Sequence, residues 1–249
     1  MLLPGIGRQR YRDAEHLPQR RSDGQAPHPH TLPRQRHGTT PQMVGRYPDY
    51  DVMDEAHAWD PATRGVVEQR LQPHGSLRFF TEEEAPAVHA FCDTVLAQDD
   101  EPRVPVVAMI DAKMAERRFD GYRYADMPDD DVTWRISLRG LDEVACRRYT
   151  RPFAECSQEV RESLCEQFSK GELEGDAWTE LNVKRAWSVL MRNALSAFYA
   201  HPWAWNEIGF GGPAYPRGYM RLGEGLREPF EKPEAVHDDP VREESYPQT

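Results

Sequence analysis

The segment FTEEEAPAVHAFCDTVLAQ, Phe80 to Gln98, decides the fold class. Thr81 and Glu84 have the spacing of a reciprocal capping box, and Glu82, Glu83 and Glu84 sit where the positive end of a helix dipole would be. Val88, Phe91, Cys92, Val95 and Leu96 then recur at helical spacing, which leaves one face apolar and the other polar. The segment is therefore predicted as an amphipathic core helix running to about Gln98. Pro86 falls inside it, where it would delete a backbone hydrogen bond and bend the first turns.

The same periodicity continues downstream. Pro105 to Arg118 reads as a second helix with Val106, Met109, Ile110 and Met114 inward. Asp129 to Asp131 read as a solvated, acidic start for a third, Val132 to Arg148, with Trp134, Leu138, Leu141 and Val144 on one side. Ser157 caps a fourth helix to Lys170, stopped by Gly171. Ala177 to Ala200 is predicted as the longest helix and the central one, through Trp178, Leu181, Val189, Leu190, Leu195 and Phe198. Upstream, Asp60 and Pro61 begin a short helix to Leu71, read as an adaptor that lies along the main body. Strand-like alternation between turn signals is absent, so the expected architecture is all-α, an irregular helical bundle.

Pro202 ends the last predicted helix, and Phe198 to Leu222 reads FYAHPWAWNEIGFGGPAYPRGYMRL. Aromatic rings interleaved with glycine and proline predict a shaped, ordered coil and not a helix or strand. Trp203, Trp205, Phe210, Tyr215 and Tyr219 offer apolar area with polar tips, a composition enriched at protein interfaces. Two roles suit it: a contact surface for another protein, or a lid folded back on the chain's own helices.

The ends read differently from the middle. Met1 to Arg46 has almost no apolar periodicity, and its ordering entropy cannot be offset by burial, so residues 1–46 are expected as a disordered basic tail. Eight Arg against Asp13, Glu15 and Asp23 set that tail at +5; with −11 for the whole chain, Tyr47 to Thr249 carries −16. Such a tail could bind nucleic acid or an anionic surface, brush against its own acidic body, or simply stay solvated. Residues 47–226 are read as the helical domain and 227–249 as a disordered acidic tail. The twin arginine Arg20-Arg21 is followed by polar residues, so it is not read as an export signal; no run approaches a membrane span; and the expected location is the cytoplasm. Cys92, Cys146, Cys156 and Cys165 lack metal or redox spacing and are expected as free thiols.

Motifs that carry chemistry are largely missing. Glu-x-x-His occurs once, Glu234 to His237 in the proline-rich closing tail, whereas a di-iron bundle needs two such pairs on core helices; there is no His-Glu-x-x-His zinc helix, no phosphate-cradling loop and no nucleophile elbow. Gly209, Gly211 and Gly212 follow a helix and open none, unlike a dinucleotide fingerprint. Asp129 to Asp131 lack further ligands at calcium offsets. His201, beside Glu207, could serve as a general base, although a helix-terminal histidine more often bonds a last-turn carbonyl.

FFTEEEAPAVHAFCDTVLAQDD and FYAHPWAWNEIGFGGPAYPRGY resemble the opening helix and closing signature of the gluconate 2-dehydrogenase subunit 3 family. RGLDEVA and RPFAECSQEVRESLCEQF are similar to its middle helices. The resemblance covers Tyr47 to Leu222, and its specific part is the closing motif. It implies a small, non-catalytic helical subunit with no cofactor of its own, which accompanies a flavin-dependent dehydrogenase of the glucose-methanol-choline type. In membrane-bound complexes of the family a multihaem cytochrome is the third component. Many relatives carry a twin-arginine export signal, whereas this chain has the polar basic tail.

The leading expectation is thus an accessory subunit that docks on, stabilises or matures an FAD-dependent oxidoreductase. Tyr199, His201, Trp203, Trp205, Phe210, Tyr215, Arg217 and Tyr219 are its candidate contact residues. The alternatives are a stand-alone enzyme with a site around His201, Glu207 and Tyr215, or nucleic-acid binding through the basic tail, the latter disfavoured.

Overall fold

The computed structural model describes residues 51–72, 75–98, 103–220 and 228–230. In chain order the α-helices are α1 (Pro61–Arg70), α2 (Ala85–Leu96), α3 (Val106–Ala115), α4 (Asp130–Tyr149), α5 (Gln158–Lys170), α6 (Val183–Ala200) and α7 (Pro202–Ile208). Short 3-10 turns occupy Val52–Ala58, Phe153–Glu155 and Ala177–Glu180. No strand occurs among the described residues, and the fold is an all-α irregular bundle. The expected tails lie outside the described residues except at Glu228–Phe230, where Glu228 and Phe230 are buried and not solvated.

Three helix predictions are corrected. The capping box forms, with the Thr81 amide donating to Glu84 Oε2 at 2.9 Å and the Glu84 amide to Thr81 Oγ1 at 3.2 Å. It closes a turn ahead of α2, however, so Pro86 stands in the first turn, where no backbone bond is lost. Ala177–Glu180 is a separate 3-10 turn and Leu181 is extended. Asn182 then restarts the chain as α6, its Oδ1 accepting from the Arg185 amide at 3.1 Å. The longest described helix is therefore α4, with 20 residues against 18 for α6. Finally, the acidic run is not wholly solvated. Asp130 is buried, and it accepts from Arg192 Nη2 at 2.8 and 3.1 Å and from Asn193 Nδ2 at 3.0 Å.

The described residues fall into two compact units. One comprises Pro73–Ala97 and Pro105–Phe198. Its core is a chain of rings: Trp134 of α4 meets Phe80 and Phe91 edge-on at 5.7 and 5.8 Å. Phe91 meets Trp187 at 6.0 Å, and Phe168 of α5 meets Trp187 at 5.4 Å and Trp178 at 4.8 Å. Edge-to-face pairs of this kind add to simple burial. Trp178 reaches α4 because Gly140 has no β-carbon; one placed there would lie 2.5 Å from Trp178 Cε2. Asp111, buried on α3, holds the entry to α2 by accepting from the amides of Arg78, Phe79 and Phe80 at 2.7, 2.8 and 2.9 Å. The other unit is built from the described parts of Met1–Gln72, Gln98–Val104 and Tyr199–Thr249, and it carries the candidate site.

All four cysteines are free thiols. Cys92 is fully buried on α2, and that burial pushes its thiol far above the usual range, which keeps it protonated and inert.

Candidate docking segment

Proline and glycine build a helix in the closing segment instead of preventing one. His201 is the N-cap of α7, extended in backbone, and its Nδ1 accepts from the Trp203 amide at 3.2 Å. Pro202 occupies the first turn, where its missing N–H costs nothing. Gly209, at φ +68°, ends the helix in the left-handed region, and the Phe210 amide donates to the Trp205 carbonyl at 2.9 Å. The coil expected over Pro202 to Ile208 is thus corrected to a two-turn helix flanked by shaped coil. His201, the residue after α6, caps the start of α7, and it is 2% exposed.

The indoles point inward. Trp203 is 7% and Trp205 6% exposed. Trp205 donates from Nε1 to the Tyr199 carbonyl at 2.6 Å, meets Phe210 edge-on at 5.6 Å and lies 5.7 Å beneath the Arg70 guanidinium. With Val52, Trp59 and Val67 it forms one apolar cluster, against which Phe210 packs. Arg70 Nη1 donates at 2.7 Å to the Ala200 carbonyl, satisfying the end of α6, and burial holds this guanidinium below its ordinary value. Asn206, wholly buried, accepts from the Val52 amide at 2.6 Å.

Beyond α7 the glycines are points of close approach. Gly212 has φ +75°, and a β-carbon there would sit 2.5 Å from Trp59 Cζ2 and 3.0 Å from Val52 Cγ2. At Gly211 it would meet Phe230 at 2.7 Å. Gly211 and Gly212 therefore serve close packing against aromatic residues of the same chain. Arg217 ties the coil together. It pairs with Glu55 at 2.7 Å, donates to the Gly211 and Pro213 carbonyls at 3.2 and 3.3 Å, and lies 3.7 Å over the Phe230 ring.

Of the candidate contact residues, His201, Trp203 and Trp205 are buried, Phe210 and Arg217 are half-buried, and Tyr199, Tyr215 and Tyr219 are exposed, Tyr215 by 67%. Ile208 and Met220 are exposed beside them and were not singled out by sequence; Met220, at 83%, is the most exposed large apolar residue in the described chain. For the alternative enzymatic constellation, His201 is a buried cap, Tyr215 is solvent-facing, and the Glu207 side chain lies outside the described residues. No group of three or more His, Cys, Asp or Glu positioned to hold a metal occurs among the described residues. No described helix is long and apolar enough to cross a membrane.

The fold and this segment define a small all-α protein with a self-capped aromatic closure and a fringe of exposed tyrosines. Residues 82–212, a little over half of the chain, match the family model described as Gluconate 2-dehydrogenase subunit 3, and the chain belongs to that family. No curated protein and no solved structure matches the chain.

Proposed function

We propose that this protein is a non-catalytic accessory subunit that docks on a flavin-dependent dehydrogenase of the glucose-methanol-choline type and stabilises or matures it. The observation that carries the reading is the family match, which runs from Glu82, just ahead of α2, to Gly212 in the closing segment. The surface chemistry supports it. Tyr199, Tyr215 and Tyr219, with Ile208 and Met220, present stiff amphipathic rings and apolar side chains on a segment whose interior is locked by Trp205 and Asn206. Rigid aromatic anchors of this sort bind at low entropic cost.

On this reading the buried indoles and His201 hold the shape of the surface, and the tyrosines touch the partner. FAD belongs to the partner subunit, and a cytochrome subunit would be a third component where the complex is membrane-bound. The test is co-expression of the chain with its cognate dehydrogenase. Soluble, flavin-loaded enzyme is expected to rise with the chain present and to fall when the chain is omitted. An equal yield of active, flavin-loaded enzyme in both cases would sink the proposal.

A further inference from the structure

The parts of the chain that hold the closing segment in place lie outside the family match on both sides. Before residue 82, the strap Val52–Arg70 contributes Val52, Trp59 and Val67 to the cluster under Trp205. The same strap gives the Val52 amide to Asn206, Glu55 to Arg217, and Arg70 to the Ala200 carbonyl. After residue 212, Glu228 accepts from the Met220 amide at 2.5 Å, and the Phe230 ring packs against Gly211, Arg217 and, at 5.8 Å, Tyr219. Arg217 joins the two sides, since one guanidinium bonds Glu55 and stacks on Phe230.

These contacts converge on the coil that displays Tyr215 and Tyr219. Gly211 packs against the ring and carbonyl of Phe230, and Gly212 against Trp59 and Val52, so the coil's path is set by shape as well as by hydrogen bonds. Within the coil the Gly218 amide donates to the Ala214 carbonyl at 2.7 Å, and Arg217 reaches back to Gly211 and Pro213. A segment of this kind draws its order from what it packs against.

We propose that Val52–Arg70 is a latch that holds the tyrosine-bearing coil in its docking shape, so the partner surface exists only while the strap is closed on Gly212 and Arg217. The inference rests on the docking reading, with Trp59 and Glu55 acting as positioning residues that do not touch the partner.

Hydrogen exchange on the full chain tests the latch without any partner. In Trp59→Ala, exchange across Trp203 to Tyr219 is expected to rise by about a hundred-fold or more, while α2, α4 and α5 keep their protection. Trp59→Phe, which refills most of the site, is expected to restore it. Unchanged protection of Trp203 to Tyr219, or equal loss in α2, α4 and α5, overturns the latch. Binding to the co-expressed dehydrogenase then separates the two readings. If Tyr215→Ala with Tyr219→Ala weakens binding and Trp59→Ala does not, the latch is wrong. If neither weakens it while exchange behaves as stated, the docking reading fails and the strap is a structural clasp alone.

Discussion

Replacing Gly212 with alanine puts the packing of the closing segment to a direct energetic test. Alanine must adopt φ +75° there, which costs an L-residue about 1–2 kcal/mol. Its β-carbon would also sit 2.5 Å from Trp59 Cζ2 and 3.0 Å from Val52 Cγ2, both buried side chains. Overpacking of a filled core costs about 1–3 kcal/mol, and the lost freedom of the unfolded glycine returns about 0.4–1 kcal/mol. The net loss is about 1–5 kcal/mol. Urea unfolding followed by tryptophan fluorescence measures it, and hydrogen exchange locates it in residues 51–72 and 199–220. In the double variant Gly212→Ala, Trp59→Phe, the smaller ring removes the clashing atom, so the pair should cost about 1 kcal/mol less than the sum of the single changes. A neutral Gly212→Ala, or strictly additive single changes, would refute the packing argument.

Other consequences are local and separable. Gly140→Ala drives a β-carbon into the Trp178 indole; even with alanine's better helix propensity the net cost is about 1–2 kcal/mol, read as a lower urea midpoint. Asp111→Ala orphans the amides of Arg78, Phe79 and Phe80 and should cost about 2–3 kcal/mol by the same assay, with Asp111→Asn less harmful. Glu143 is held below the ordinary carboxylate range by the amides of Ala177 and Asp176, so its contribution is complete above the unfolded pKa and fades as pH falls through the lower folded value. Thermal melts of Glu143→Gln should therefore show a smaller loss of stability on acidification than the parent chain shows.

Helix starts were legible because their chemistry is local. Asp60 with Pro61 carries the cap and the first turn of α1 within a few residues, and the Thr81–Glu84 box forms as read but one turn ahead of α2. Burial of Asp130 was not legible, since its partners Arg192 and Asn193 lie 62 and 63 residues away and no periodicity announces an ion pair. The same holds for the closing segment. Its rings, prolines and glycines suggested coil, although Pro202 in front and Gly209 behind are also the punctuation of a short helix. Sequence located the segment but not the direction of its rings, because Trp205 is buried by a strap whose Val52 is 154 residues from Asn206. Gly212 could be recognised as a packing position only once Trp59 was seen against it.

The most direct measurement is the affinity of the purified chain for its cognate flavin-dependent dehydrogenase, compared with that of a Tyr199→Ala, Tyr215→Ala, Tyr219→Ala variant of unchanged helicity. A complex of fixed stoichiometry that carries the partner's flavin is expected, weakened by about a hundred-fold or more in the variant through loss of aromatic hot spots. Equal affinity in the two proteins, or no complex with the parent chain, would contradict it.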